Sequence, residues 1–167
     1  MPLTRRAWLI ALVALASAAP SPALAAPRGR PTIQLDRLDF PTDHPRWPAY
    51  KQHLRRSLAR EAKRAVWGAG RGSTIQYRFE VSELSVVAVA DDVLRVTCAA
   101  TGRLPRGRSA SSRLSFGGDP RRRDETVRRV LEIVARGVIT RLAEIERVRR
   151  GELERRRVRA PSSDLAD

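Results

Sequence analysis

The chain has 167 residues, of which 33 are Lys or Arg and 18 are Asp or Glu, giving a formal net charge of +15. Cys98 is the lone cysteine, which excludes an intramolecular disulfide, so a hydrophobic core must hold the fold unaided. Only Lys51 and Lys63 are lysines, a bias toward arginine that a GC-rich genome produces, but the excess of base over acid is separate and will attract any polyanion non-specifically.

The amino terminus, MPLTRRAWLIALVALASAAPSPALAAP, places Arg5 and Arg6 before an uncharged apolar run and ends that run in Ala23-Leu24-Ala25. This three-part pattern predicts a secretory signal peptide over residues 1–25, removed after Ala25. Thr4-Arg5-Arg6 before Trp8-Leu9 also suits a twin-arginine signal, and the general and twin-arginine routes both stay open. No cysteine follows the run, so lipid attachment is not expected, and removing the leader takes the formal charge only to +13.

After a short basic leader, TIQLDRLDF alternates with one irregularity between Leu35 and Leu38, as a strand with a mid-strand bulge would. PTDHPRWP is a proline-punctuated turn. From Pro48 the period changes: Trp47, Tyr50, Leu54, Leu58, Ala62 and Ala65 fall at spacings of three and four, predicting a helix to about Trp67 that Gly68, Gly70 and Gly72 stop. Ile75, Tyr77, Phe79 and Val81, and then Leu94, Val96, Cys98 and Ala100, alternate with polar residues on either side of Ala90-Asp91-Asp92. That pattern predicts a long antiparallel hairpin. Leu114 and Phe116 mark a further strand at an edge, after the polar loop PRGRSASS.

Asp119-Pro120 starts the last helix, whose apolar stripe runs from Val127 to Val148 with Gly137 inside it. A glycine there is about 1 kcal/mol less favourable than alanine, which points to close packing on the sheet. Past Gly151 the stripe fails, so residues 149–167 are expected to be a basic, frayed or disordered tail, and residues 26–148 a single domain. The predicted class is α+β: an antiparallel sheet of about four strands with two helices on one face, in the order β-α-β-β-β-α.

Residues 31–146, through TIQLDRLDF, TIQYRFEV, VLRVTCAATG and the helix from Pro120, resemble in element order the small periplasmic domains at the amino terminus of the translocation protein TolB and in envelope-assembly auxiliary lipoproteins. The resemblance implies a non-enzymatic adaptor or assembly module. The chain departs from it in having no lipid-bearing cysteine and no propeller or secretin domain.

Catalytic candidates are few. His44 and His53 have no second histidine or cysteine at a metal-binding spacing and read as solvated side chains. Ser82, His53 and Asp91 lack a nucleophile-elbow pattern. Gly68, Gly70 and Gly72 follow a helix and precede a strand, the reverse of a phosphate-binding loop. Cys98 reads as a buried hydrophobe. No catalytic residue, cofactor or metal is therefore expected, and no enzyme. The remaining candidates are arginines: Arg121, Arg122 and Arg123 at the start of the last helix, and Arg147, Arg149, Arg150, Arg155, Arg156, Arg157 and Arg159 in RVRRGELERRRVRAP. The aromatics that single-strand nucleic-acid binders interleave for stacking are missing after Phe79, apart from Phe116. The leading expectation is an exported envelope or periplasmic module that binds another envelope protein; the alternative is a binder of an acidic polymer, lipopolysaccharide or extracellular nucleic acid, through those arginines.

Overall fold

A computed structural model describes residues 29–41, 46–70, 73–90 and 92–159, the side chains of 157–159 excepted. The predicted leader, His44, Asp43, Asp91, Gly72 and residues 160–167 lie outside the described residues. The elements are β1 (Thr32–Asp39), α1 (Trp47–Arg64), β2 (Thr74–Ala90), β3 (Val93–Arg103), β4 (Ser109–Gly118) and α2 (Arg123–Arg159), with single 3-10 turns at Pro105–Gly107 and Pro120–Arg122.

The four strands form one sheet in the order β1-β2-β3-β4. This is the expected α+β layer, with one refinement: β1 pairs with β2 in parallel, while β2–β3 and β3–β4 are antiparallel. The connections explain the difference. Short turns reverse the chain after β2 and β3, whereas α1 carries it back across the sheet between β1 and β2, as a parallel pair requires.

Two bulges keep apolar residues on the helix side. The register shifts between Leu35 and Arg37, so Leu35 opposes Tyr77 and Leu38 opposes Phe79. It shifts again between Val81 and Glu83, so that Ser82 is the extra residue and Leu84 opposes Cys98. Without these insertions the period of two would turn the following apolar residues to solvent. The covered face then carries Tyr77, Phe79, Val96 and Cys98 against Val130, Leu131, Val134, Val138 and Leu142 of α2, each no more than 2% exposed. Burying each of these large side chains contributes about 2 kcal/mol relative to exposure.

α1 ends at Arg64, earlier than the stripe suggested, and Trp67 folds back to donate its Nε1–H to the Ala62 carbonyl at 2.9 Å. Gly68 takes φ +84°, the left-handed conformation that closes helices without a Cβ clash. The two helices run side by side in the same direction. Tyr50 donates to Asp124 at 2.6 Å, Arg60 to Glu132 at 3.3 Å, and Arg136 lies 3.6 Å from Glu61. His53, read from its spacing as solvated, is half-buried between them with Nε2 3.2 Å from Glu132 Oε1.

α2 does not stop at Gly151. The end expected to fray continues as helix to Arg159, its residues from 151 to 156 exposed. The apolar stripe ends where predicted, and the helical backbone runs on past it with Arg155 Nε donating to the Gly151 carbonyl at 3.3 Å.

Candidate functional site

The arginines singled out in the sequence fall into three groups with different surroundings. Arg121 and Arg122 are exposed on the 3-10 turn, where Asp119 caps the turn by accepting from the Arg121 N–H at 2.8 Å, and Arg123 opens α2 half-buried. Arg147, Arg155 and Arg156 are exposed at the other end of the same helix. At 1.5 Å of rise per residue, Arg123 and Arg156 stand roughly 50 Å apart, so the two groups cannot form one patch. The side chains of Arg157 and Arg159 lie outside the described residues.

Arg149 and Arg150 belong to the fold. Glu146, 5% exposed, accepts from Arg149 Nε at 2.7 Å and from its Nη2, and from Arg150 Nε at 2.8 Å. Burial pushes the Glu146 carboxyl up, but the hydrogen bonds from Arg149 and Arg150 outweigh it and hold the group below its ordinary value. Arg150 also donates from Nη1 to the Ala69 carbonyl at 2.8 Å and to Ser73 Oγ at 3.0 Å. It thereby ties the end of α2 to the chain entering β2. The sequence placed both residues in a basic tail because their partners, Glu146 apart, are some eighty positions away.

The sheet has two edges, and they differ. β1 carries Asp36, Arg37 and Asp39 and a bulge, devices that keep an edge from pairing with another strand. β4 pairs with β3 without a register shift from Gly118 to Ser109 and has one charged side chain, Arg113. Its outer backbone groups can be assigned. The Ser111 carbonyl accepts from Arg141 Nη1 of α2 at 3.1 Å, and Ala99, opposite Arg113, turns its carbonyl toward Ser82 of β2 at 3.2 Å. Alternation along an antiparallel ladder then points the backbone of Ser111, Arg113 and Ser115 away from β3. Beside this edge, Phe116, Ile133 and Val148 are 40%, 41% and 48% exposed. A groove of about 770 Å³ lies between the start of β4 and α2, with Ile145, Val148, Arg108 and Glu152 in its walls.

The other chemistry is structural. Cys98 is fully buried and its thiol is pushed up to about 12, by burial first and then by the Glu83 charge. Asp36 is bound to Arg78 at 2.9 Å and Asp39 to Arg37 at 2.8 Å. Among the described residues no cluster of His, Cys, Asp and Glu could hold a metal, and no helix is long and apolar enough to cross a membrane.

No family model and no curated protein matches the chain. Among solved structures it is similar to a putative lipoprotein from Caulobacter crescentus at 10% identity and a TM-score of 0.43, covering 71% of this chain and 91% of that one. It is also similar to a PelC dodecamer from Paraburkholderia phytofirmans, at 11% identity and a TM-score of 0.41 over 68% of this chain and 94% of that one. A third is a protein from Xanthomonas campestris of the DUF330 family model, at 11% identity and a TM-score of 0.39 over 80% and 94%. None of the three is described as a TolB domain, and that likeness rests on element order alone.

Proposed function

We propose that this chain is an exported, non-enzymatic envelope module that recruits another envelope protein by strand addition at β4. Export is supported by the charged, apolar and small-residue parts of residues 1–25. The observation that carries the binding mode is the asymmetry of the sheet: β1 is guarded by charges and a bulge, while β4 presents ten residues in unbroken register beside exposed Phe116 and Ile133. Main-chain hydrogen bonds to such an edge supply affinity, and flanking apolar side chains supply specificity.

The competing reading is a grip on lipopolysaccharide or nucleic acid through the arginines of α2. It loses Arg149 and Arg150, which hold Glu146, and must divide the rest between two distant ends of the helix.

Ser115→Pro separates the two. Its N–H faces away from β3, so the fold tolerates a proline there while an added strand cannot pair with it. Pull-downs from envelope extract with the wild type, Ser115→Pro and a chain ending at Gly151, which keeps Arg149 and Arg150 on Glu146, are washed at low and high salt. A partner that survives high salt on the wild type and the truncated chain, and is lost from Ser115→Pro at unchanged melting temperature, supports the module. Retention that salt removes from all versions, and that truncation weakens at low salt, overturns it in favour of the polyanion grip.

A further inference from the structure

At the opposite edge of the sheet, α1 stands away from β1 and leaves a groove of about 860 Å³, within the range of roughly 300–1,000 Å³ typical of small-molecule sites. Its origin is in the sequence. α1 turns Ala59 and Ala62 to this side, side chains too short to reach Ile33 and Leu35, which stay half-buried in the groove. Trp67 and Leu38 extend the apolar floor.

The rim is basic. Arg30, Arg55 and Lys63 border the groove and none has a carboxylate partner among the described residues. The acid that also lines it, Asp36, is already bound to Arg78 at 2.9 Å. Tyr77, 2% exposed, lines the groove as well. Burial holds its hydroxyl in the protonated form, able to donate.

An apolar floor and three cations without a carboxylate partner among the described residues call for a ligand with a hydrocarbon chain and one compact anionic head. A nucleic acid has no use for the floor. An extended peptide would have to pair with β1, whose bulge and charges oppose it. We propose that this groove binds a long-chain fatty carboxylate, its chain along Ile33, Leu35 and Trp67 and its head at Arg55 and Lys63, within reach of the Tyr77 hydroxyl. The site lies at the edge away from β4, so it stands or falls separately from strand addition.

The test is calorimetric titration of the purified protein with oleate below its micelle concentration, beside oleyl alcohol, lysophosphatidylglycerol and dodecyltrimethylammonium. Oleate is expected to bind saturably at one site, and the alcohol and the cation at least about tenfold more weakly, the ratio expected for losing a charge-assisted contact. Arg55→Glu with Lys63→Glu should cost a similar factor at unchanged melting temperature, since both side chains are exposed. Arg95→Glu with Arg129→Glu makes the same change in net charge elsewhere and should leave binding intact. Ala59→Trp, also at an exposed position, should fill the groove and abolish uptake of every chain. Absence of saturable oleate binding, equal binding of the alcohol, or equal losses from the two charge pairs would overturn the proposal. Tighter binding of lysophosphatidylglycerol than of oleate would overturn the carboxylate head.

Discussion

Arg150, with Glu146 one turn before it on α2, ties two parts of the chain through one guanidinium: Nε meets the buried carboxylate at 2.8 Å while Nη1 reaches the Ala69 carbonyl, also at 2.8 Å. Gly70 completes the arrangement, because a Cβ there would lie 1.8 Å from Arg150 Nη1. Replacing Arg150 by alanine removes donors from a carboxylate that stays buried, so a loss of about 2 kcal/mol in urea unfolding is expected. Arg150→Lys should recover little, since a single ammonium cannot serve Glu146 and Ala69 together. Full stability in the alanine variant would show that the staple contributes nothing.

The same carboxylate sets an acid limit. The folded-state pKa of Glu146 is depressed from its ordinary 4.5, so its contribution is complete above that value. As pH falls the unfolded chain takes up the proton first, and the contribution disappears as pH passes through the folded value. Asp124 acts in the same direction: the Tyr50 hydrogen bond, followed by Arg46, holds it down against burial. Melting temperature should therefore fall below about pH 4.5, and Glu146→Gln should be less stable near neutrality but lose less on acidification. Parallel curves for the variant and the wild type would remove Glu146 from the acid transition.

Two glycines predict opposite signs. A Cβ on Gly102 would sit 2.6 Å from Leu142 Cδ1 and 2.6 Å from Val138 Cγ1, both fully buried and the second on a stiff branched side chain. Gly102→Ala should destabilise by about 1–3 kcal/mol through overpacking. On Gly137 the nearest obstacle is Ser112 Oγ at 3.2 Å, a hydroxyl free to rotate, so Gly137→Ala should stabilise by about 0.5 kcal/mol through helix propensity. Denaturant midpoints of the two variants decide both.

Cys98, buried at the centre of β3 with its thiol pushed up to about 12, should resist alkylation at pH 8. Its labelling rate should rise only with conditions that open the whole domain, and rapid labelling of the native protein would contradict that.

Periodicity alone determined the order of elements, the buried face of each and the β1 irregularity between Leu35 and Leu38, because a period of 2 or 3.6 is a property of consecutive residues. The edge position of Leu114 and Phe116 was legible for the same reason: their serine and arginine neighbours left one side without apolar content. Partners distant in the chain were decided by tertiary structure. The parallel pairing of β1 with β2 depends on where α1 returns the chain, and Arg150 meets Ser73 across 77 positions. His53 looked solvated because Glu132 and its helix are invisible in the local spacing. The groove beside β1 needed the same information: alanines at 59 and 62 are unremarkable in a helix, and become a binding surface only once Ile33, Lys63 and Tyr77 are brought around them by the packing of α1 against α2.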